Sequence, residues 1–182
     1  HYRRSEDSRT YTESNSYGDL LERNTTRSVV DGVKYIIHAA AILPKGENEF
    51  LEKDYFNPNY EISLNLAQEA LKQGVEKFIY ISSANVYTPS LKVATESSAI
   101  GDFVKHQLYL QSKVNAEQDL LELFSGKKSK LVILRIGTPY GCDEQKSKLI
   151  PHLMTQALKN QNLILYAPEQ TTLNYIYMPD LI

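Results

Sequence analysis

Three short apolar runs, separated by long stretches of helical period, constrain this chain more than any other feature. They read KYIIHAAA (Lys34 to Ala41), KFIYIS (Lys77 to Ser82) and KLVILRI (Lys130 to Ile136). Apolar runs of this length, bounded by turn residues, are the mark of strands buried on both faces. Between the first two, Ile62, Leu66, Ala67, Ala70 and Leu71 recur at helical spacing through Lys72. Asn59 is placed to cap that helix and Gly74 to end it. Between the second and third, a longer helical pattern runs from Phe103 to Phe124 through Leu108, Val114, Leu120 and Leu121, and Gly126 with a basic tract closes it. Strand, helix, strand, helix, strand with short connections predicts an α/β fold, a parallel sheet covered by helices.

Outside this centre the patterning is weaker. His1 to Tyr17 is polar and aperiodic, the end of a strand or a surface loop, and Ser28 to Val33 is a short helical pattern ending near Asp31-Gly32. Beyond the third run, Leu149 to Lys159 is helical, while Leu163 to Tyr166 and Tyr175 to Met178 are strand-like. The regular alternation stops after Tyr140-Gly141. That places one domain over residues 1–140 and the beginning of a smaller lobe over 141–182.

Composition removes several function classes. A formal charge of -2 supplies no field to draw nucleic acid or an anionic membrane. Cys142 is the only cysteine, so no internal disulfide forms, which fits a reducing compartment. No run of about eighteen apolar residues predicts a membrane span, and the polar, charged opening residues give no expectation of a signal sequence. The cytoplasm is the default location.

The chemistry rests on Tyr109-Leu-Gln-Ser-Lys113, a phenol and an amine four residues apart and so on one face of a helix. A free tyrosine, with a pKa of about 10, is a poor base at neutral pH. A nearby cation favours phenolate, which lets Tyr109 exchange a proton with a substrate hydroxyl. Alone, this spacing more often marks a packed ring beside a solvated charge. Ser82-Ser83 adds context, because it closes a strand, and ligands of open α/β sheets bind beyond the carboxyl ends of strands. A hydroxyl there stabilises charge developing on a substrate oxygen.

With those residues in view, the chain resembles the extended short-chain dehydrogenase/reductases of the sugar-nucleotide epimerase/dehydratase type. Six ordered blocks carry the likeness: GDL from Gly18, DGVKYIIHAAA from Asp31, NYEISLNLAQEALKQGVEKFIYISSANVY from Asn59, YLQSK from Tyr109, LRIGTPYG from Leu134 and NYIYMPDLI from Asn174. The resemblance implies a Rossmann-like doubly wound parallel sheet with helices on both faces, holding NAD or NADP, with residues 1–140 as the dinucleotide domain and 141–182 beginning the substrate lobe. It also implies roles. Ser83, Tyr109 and Lys113 would be catalytic, with Lys113 also on the nicotinamide ribose. Asp19 and the Leu20 backbone would meet the adenine, Ala39, Ala40 and Ala41 would line the cofactor, and Asn59 would stand on the cofactor side or serve structure. Ser82 and Ile136 would lie near the nicotinamide, and Ser83, Asn85 and Thr138 would meet the substrate. The family also implies a homodimer built partly on the Phe103 to Phe124 helix.

Four departures from the family pattern matter. No Gly-x-x-Gly-x-x-Gly turn occurs, so the first strand and helix are expected to be missing and the 182 residues to be part of a longer enzyme. Where NAD-preferring relatives carry an acid, the sequence reads His1-Tyr2-Arg3-Arg4-Ser5; Arg3 or Arg4 could pair with a 2′-phosphate, which slightly favours NADP over NAD, and a reading of both as solvated loop charges stands equally with it. Leu173 and Asn174 stand where UDP-sugar enzymes commonly place a diphosphate-gripping arginine. Ala84 and Asn85 replace the acids that dehydratases carry after the catalytic serine, which favours epimerase or reductase chemistry on a sugar or nucleotide sugar. The alternatives are a catalytically silent dinucleotide-binding regulator and a reductase of steroid- or flavonoid-like alcohols.

Overall fold

The computed structural model describes residues 18–43, 52–88, 91, 93–102, 104, 107–141, 148–164 and 173–181, with the backbone alone over 52–55. Two compact units follow one another, residues 1–135 and 136–182.

In the first unit α1 (Arg23–Val30) leads into β1 (Tyr35–His38), α2 (Glu52–Lys72), β2 (Lys77–Ser83), a single 3-10 turn (Ala84–Val86), α3 (Leu108–Phe124) and β3 (Lys130–Ile136). The three strands form one sheet in the order β1-β2-β3, with β1 parallel to β2 in the register Tyr35 to Lys77 and His38 to Tyr80. The βαβ arrangement read from the apolar runs is therefore present. Gly74 and Gly126 adopt positive φ angles of 73° and 69° just past α2 and α3, the left-handed turn that stops a helix.

The core is built by side chains that alternate along the strands. Ile36, Phe78 and Tyr80 face α2 and α3, where Leu66, Ala67, Ala70, Ala116, Leu120 and Phe124 meet them. Ala67, Ala70 and Ala116 are completely buried and let the two helices approach each other and the sheet closely. Each large side chain in this set contributes about 2 kcal/mol through removal from water.

The structure shifts several boundaries. Tyr35 and Ile37 lie on the opposite face of β1 and remain 60% and 68% exposed, so this strand, expected to be buried on both faces, is covered on one among the described residues. Asn59 does not cap α2, because that helix begins at Glu52 and runs through Pro58. The apolar spacing that marked the helix begins only at Ile62, so its first turns carried no such signal. Helix α3 begins at Leu108, not near Phe103, because Gln107 is extended and the hydrogen bonds from Val104 N to Gly101 O and from Gln107 N to Val104 O fold the approach into turns. Helix α1 begins earlier than its apolar residues suggested, with Thr26 and Val30 as its buried face.

The second unit holds β4 (Thr138–Tyr140), α4 (Leu149–Leu158), β5 (Tyr175–Tyr177) and α5 (Met178–Leu181). β4 and β5 pair in parallel, Thr138 opposite Tyr175. Gly137 is required here, since a Cβ on it would collide with the backbone carbonyl of Asn174, which accepts from Thr138 N at 2.7 Å. Leu163 and Ile164 are exposed and form no strand, contrary to the sequence pattern; Tyr166 lies outside the described residues.

Candidate active site

Helix α3 lays Tyr109, Lys113 and Glu117 one turn apart on its sheet-facing side, opposite the C-terminal half of β2. Lys113 is 3% exposed. Its ammonium donates to the Ile81 carbonyl at 2.9 Å and lies 4.9 Å from the centre of the Tyr80 ring and 5.8 Å from that of Tyr109. Burial pushes this ammonium down from 10.5 to about 8, with the Glu117 carboxylate opposing the fall. Among the described residues the Ile81 carbonyl is its one hydrogen-bond acceptor, which leaves two of its three N–H donors for others.

Tyr109 packs beside Val86, Val104 and Leu110. Burial raises its pKa above the usual 10. In this state Tyr109 is a protonated phenol, and the cation beside it does not outweigh its removal from water.

Ser82 and Ser83 end β2 and point to opposite faces. Ser82 is 4% exposed, and its hydroxyl has no hydrogen-bond partner among the described residues. An orphaned buried hydroxyl is costly unless a ligand completes it. Ser83 opens the 3-10 turn, its oxygen accepting from Asn85 N at 3.2 Å. Lys113 is thus tied to the end of β2 through Ile81, two residues before Ser83, and Tyr109 packs against the cluster that includes Val86, three residues after it.

The turn and helix are tied from behind. Arg135 on β3 donates from Nε to both Glu117 oxygens at 3.0 Å and from Nη1 to the Tyr87 hydroxyl at 2.8 Å. Glu117 is 3% exposed. The carboxylate and the phenol hold the guanidinium well above its usual pKa. Neither Glu117, Tyr87 nor Arg135 was singled out from the sequence; the only signal was the acid placed four residues after Lys113.

At the end of β1, His38 is buried and contacts Ser63 Oγ through Nε2 at 2.9 Å. Ser63 spends its proton on the Asn59 carbonyl at 2.7 Å, so the imidazole must be the donor. Burial, aided by Lys113, pushes His38 down to about 3, and the ring is neutral. The Asn59 carboxamide accepts from Ile42 N at 2.7 Å and donates to Ile42 O at 3.0 Å, clamping the irregular segment that carries Ala39, Ala40 and Ala41. Its role in this structure is to hold that segment. Asp19 Oδ1 accepts from Leu21 N at 2.9 Å in a tight turn, with Leu20 buried behind it.

Ile136 ends β3 and Thr138 opens β4, both in the second unit; Arg3 and Arg4 lie outside the described residues. A cleft of about 700 Å³ between α1 and α2, lined by residues such as Arg27, Asp31, Glu69 and Lys72, holds none of these side chains. Its mixed charges and lack of a buried reactive group make it a surface groove. Among the described residues no cluster could hold a metal ion, and no helix is long and apolar enough to cross a membrane.

Residues 2–182 match the model of the NAD dependent epimerase/dehydratase family. A UDP-glucose 4-epimerase of Caenorhabditis elegans is 36% identical over 132 residues, 71% of this chain and 36% of the relative. A dTDP-D-glucose 4,6-dehydratase of Dictyostelium discoideum is 24% identical over 177 residues, 91% of this chain and 41% of the relative. The chain thus spans about two fifths of the length of these curated relatives. Among solved structures, UDP-glucose 4-epimerase of Thermotoga maritima with UDP-glucose superposes with a TM-score of 0.78 at 18% identity, covering 91% of this chain and 56% of that one. UDP-glucuronic acid 4-epimerase of Bacillus cereus with UDP-glucuronic acid and NAD gives 0.74 at 21% identity, covering 91% and 52%. These likenesses show the Rossmann-type α/β fold.

Proposed function

The chain belongs to the NAD dependent epimerase/dehydratase family, and on that footing we propose that it acts as an NAD(P)-dependent epimerase, inverting a secondary alcohol carbon of a nucleotide sugar. The observation that carries this reading is the buried Lys113 ammonium, fixed to the Ile81 carbonyl beside Tyr109, at the strand end that carries Ser82 and Ser83.

A dinucleotide suits this strand end. Ser82 offers a buried hydroxyl that lacks a partner, Lys113 has donors to spare for ribose hydroxyls, and Ala39 to Ala41 put small side chains beyond β1. When bound, the nicotinamide supplies the acceptor and donor of hydride. The protein's own residues handle the proton. Burial makes Tyr109 a phenol on its own, so it must first release its proton; as phenolate it would take the proton from the substrate hydroxyl as that carbon is oxidised, and return it to the carbonyl oxygen as the carbon is reduced on its other face. Lys113 would stabilise that starting phenolate, and the Ser83 hydroxyl would steady the charge on the substrate oxygen. In this reading Asp19 and Leu20 hold the adenine end, and Arg3 and Arg4 bias the choice toward NADP.

Epimerisation fits better than dehydration because the turn after Ser83 offers no acid: Ala84 and Asn85 stand there. The C. elegans and T. maritima relatives favour a UDP-sugar. The test supplies the intact protein with UDP-glucose or UDP-galactose and either dinucleotide, and follows the sugar by chromatography. Each sugar nucleotide should yield its 4-epimer. Absence of conversion across UDP- and dTDP-hexoses would remove the assignment.

A further inference from the structure

We propose that Arg135 is a positioning residue that sets the Ser83–Tyr87 turn against the Tyr109–Lys113 face of α3. The proposal rests on the epimerase reading and adds to it a residue that touches neither substrate nor cofactor. The guanidinium is the one described group that joins both arms of the site. One edge grips Glu117, a single helical turn below Lys113, through Nε and Nη2. Nη1 donates to Tyr87, whose ring centre is 5.0 Å from the guanidinium carbon.

Tyr87 lies immediately after the turn that Ser83 opens. Its amide donates to the Ala84 carbonyl at 3.2 Å, and it forms an isolated bridge with Ile100. Val86 is wholly buried in the small cluster that Tyr109 also joins. Ser83 closes β2, and its hydroxyl accepts from the Asn85 amide inside the same turn. A shift of Tyr87 would therefore displace the turn that Ser83 caps, and the same guanidinium ties α3 to that turn.

Stability alone gives little reason for this arrangement. A largely buried ion pair roughly balances its desolvation cost, and an apolar pair of similar volume would hold β3 to α3 as well. An apolar pair could not also orient a phenol on a third element. Glu117 is ion-paired with Arg135 and also acts electrostatically on Lys113.

The test compares wild type, Tyr109→Phe, Tyr87→Phe, Glu117→Gln and the Tyr87→Phe/Glu117→Gln double variant in the intact protein. Tyr87→Phe deletes one hydroxyl and should fold normally. Its kcat should fall about tenfold, with KM within about twofold, because misplacing a catalytic group costs rate more than ground-state binding. The double variant should lose less than the product of the single losses, since both act through one guanidinium. Should Glu117→Gln fail to fold, the kcat of Tyr87→Phe still decides. Active wild type and inactive Tyr109→Phe alongside an unchanged kcat in Tyr87→Phe would overturn the positioning role alone. An inactive wild type would overturn the epimerase reading and this inference with it.

Discussion

Lys113 should weaken the fold that it serves, and the size of that effect follows from its surroundings. The ammonium is 3% exposed and its pKa is depressed from 10.5 to about 8. At 1.36 kcal/mol per unit, the folded protein carries about 3 kcal/mol of unfavourable charge at neutral pH. The unfolded chain keeps this proton up to about pH 10.5, whereas the folded chain releases it near 8. Between those values the unfolded state holds more protons, so stability rises with pH and the penalty fades. Lys113→Met keeps the length of the side chain and removes the charge. Allowing about 1 kcal/mol for the lost bond to Ile81 and the ring contacts, the cofactor-free variant should be about 2 kcal/mol more stable than wild type at pH 7. That advantage should shrink by about 2 kcal/mol by pH 10. Urea unfolding followed by circular dichroism at the two pH values measures both quantities. A methionine variant less stable than wild type at pH 7, or an advantage that does not shrink at alkaline pH, would refute the reasoning.

Other perturbations read different parts of the structure. His38 is neutral when folded, with a pKa near 3 against 6.5 when free, so its contribution is complete above about 6.5 and falls away as pH drops toward 3. Wild type should lose about 1 kcal/mol per pH unit below 6 relative to His38→Leu, measured by urea unfolding across that range. Asn59→Ala removes both bonds to Ile42, and should cost about 2 kcal/mol in unfolding free energy and weaken dinucleotide binding, seen by calorimetry. Gly137→Ala drives a methyl into the Asn174 carbonyl and should destabilise the β4–β5 pairing by about 2 kcal/mol or more, seen as faster amide exchange at Thr138.

The fold was legible where one local rule governed each element. The runs at Lys34, Lys77 and Lys130 became β1, β2 and β3, and Gly74 and Gly126 stop their helices, because burial and a left-handed turn are properties of a few adjacent residues. Boundaries failed where a side chain's role depends on a distant partner. Asn59 looks like a cap in sequence, but Ile42 gives its carboxamide a better use inside α2. The Tyr109–Lys113 pair could be read from spacing. The tether from Arg135 to Glu117 and Tyr87 could not, since it joins residues 18 and 48 positions apart across three elements. Nor could sequence show that burial keeps Tyr109 a phenol despite the cation beside it.

The most direct test of the proton-transfer reading is Tyr109→Phe in the intact protein, assayed for epimerisation and for dinucleotide binding together. The account predicts turnover about a thousandfold lower with dinucleotide affinity within a few-fold of wild type. A phenylalanine variant that interconverts nucleotide sugars at close to the wild-type rate would contradict it.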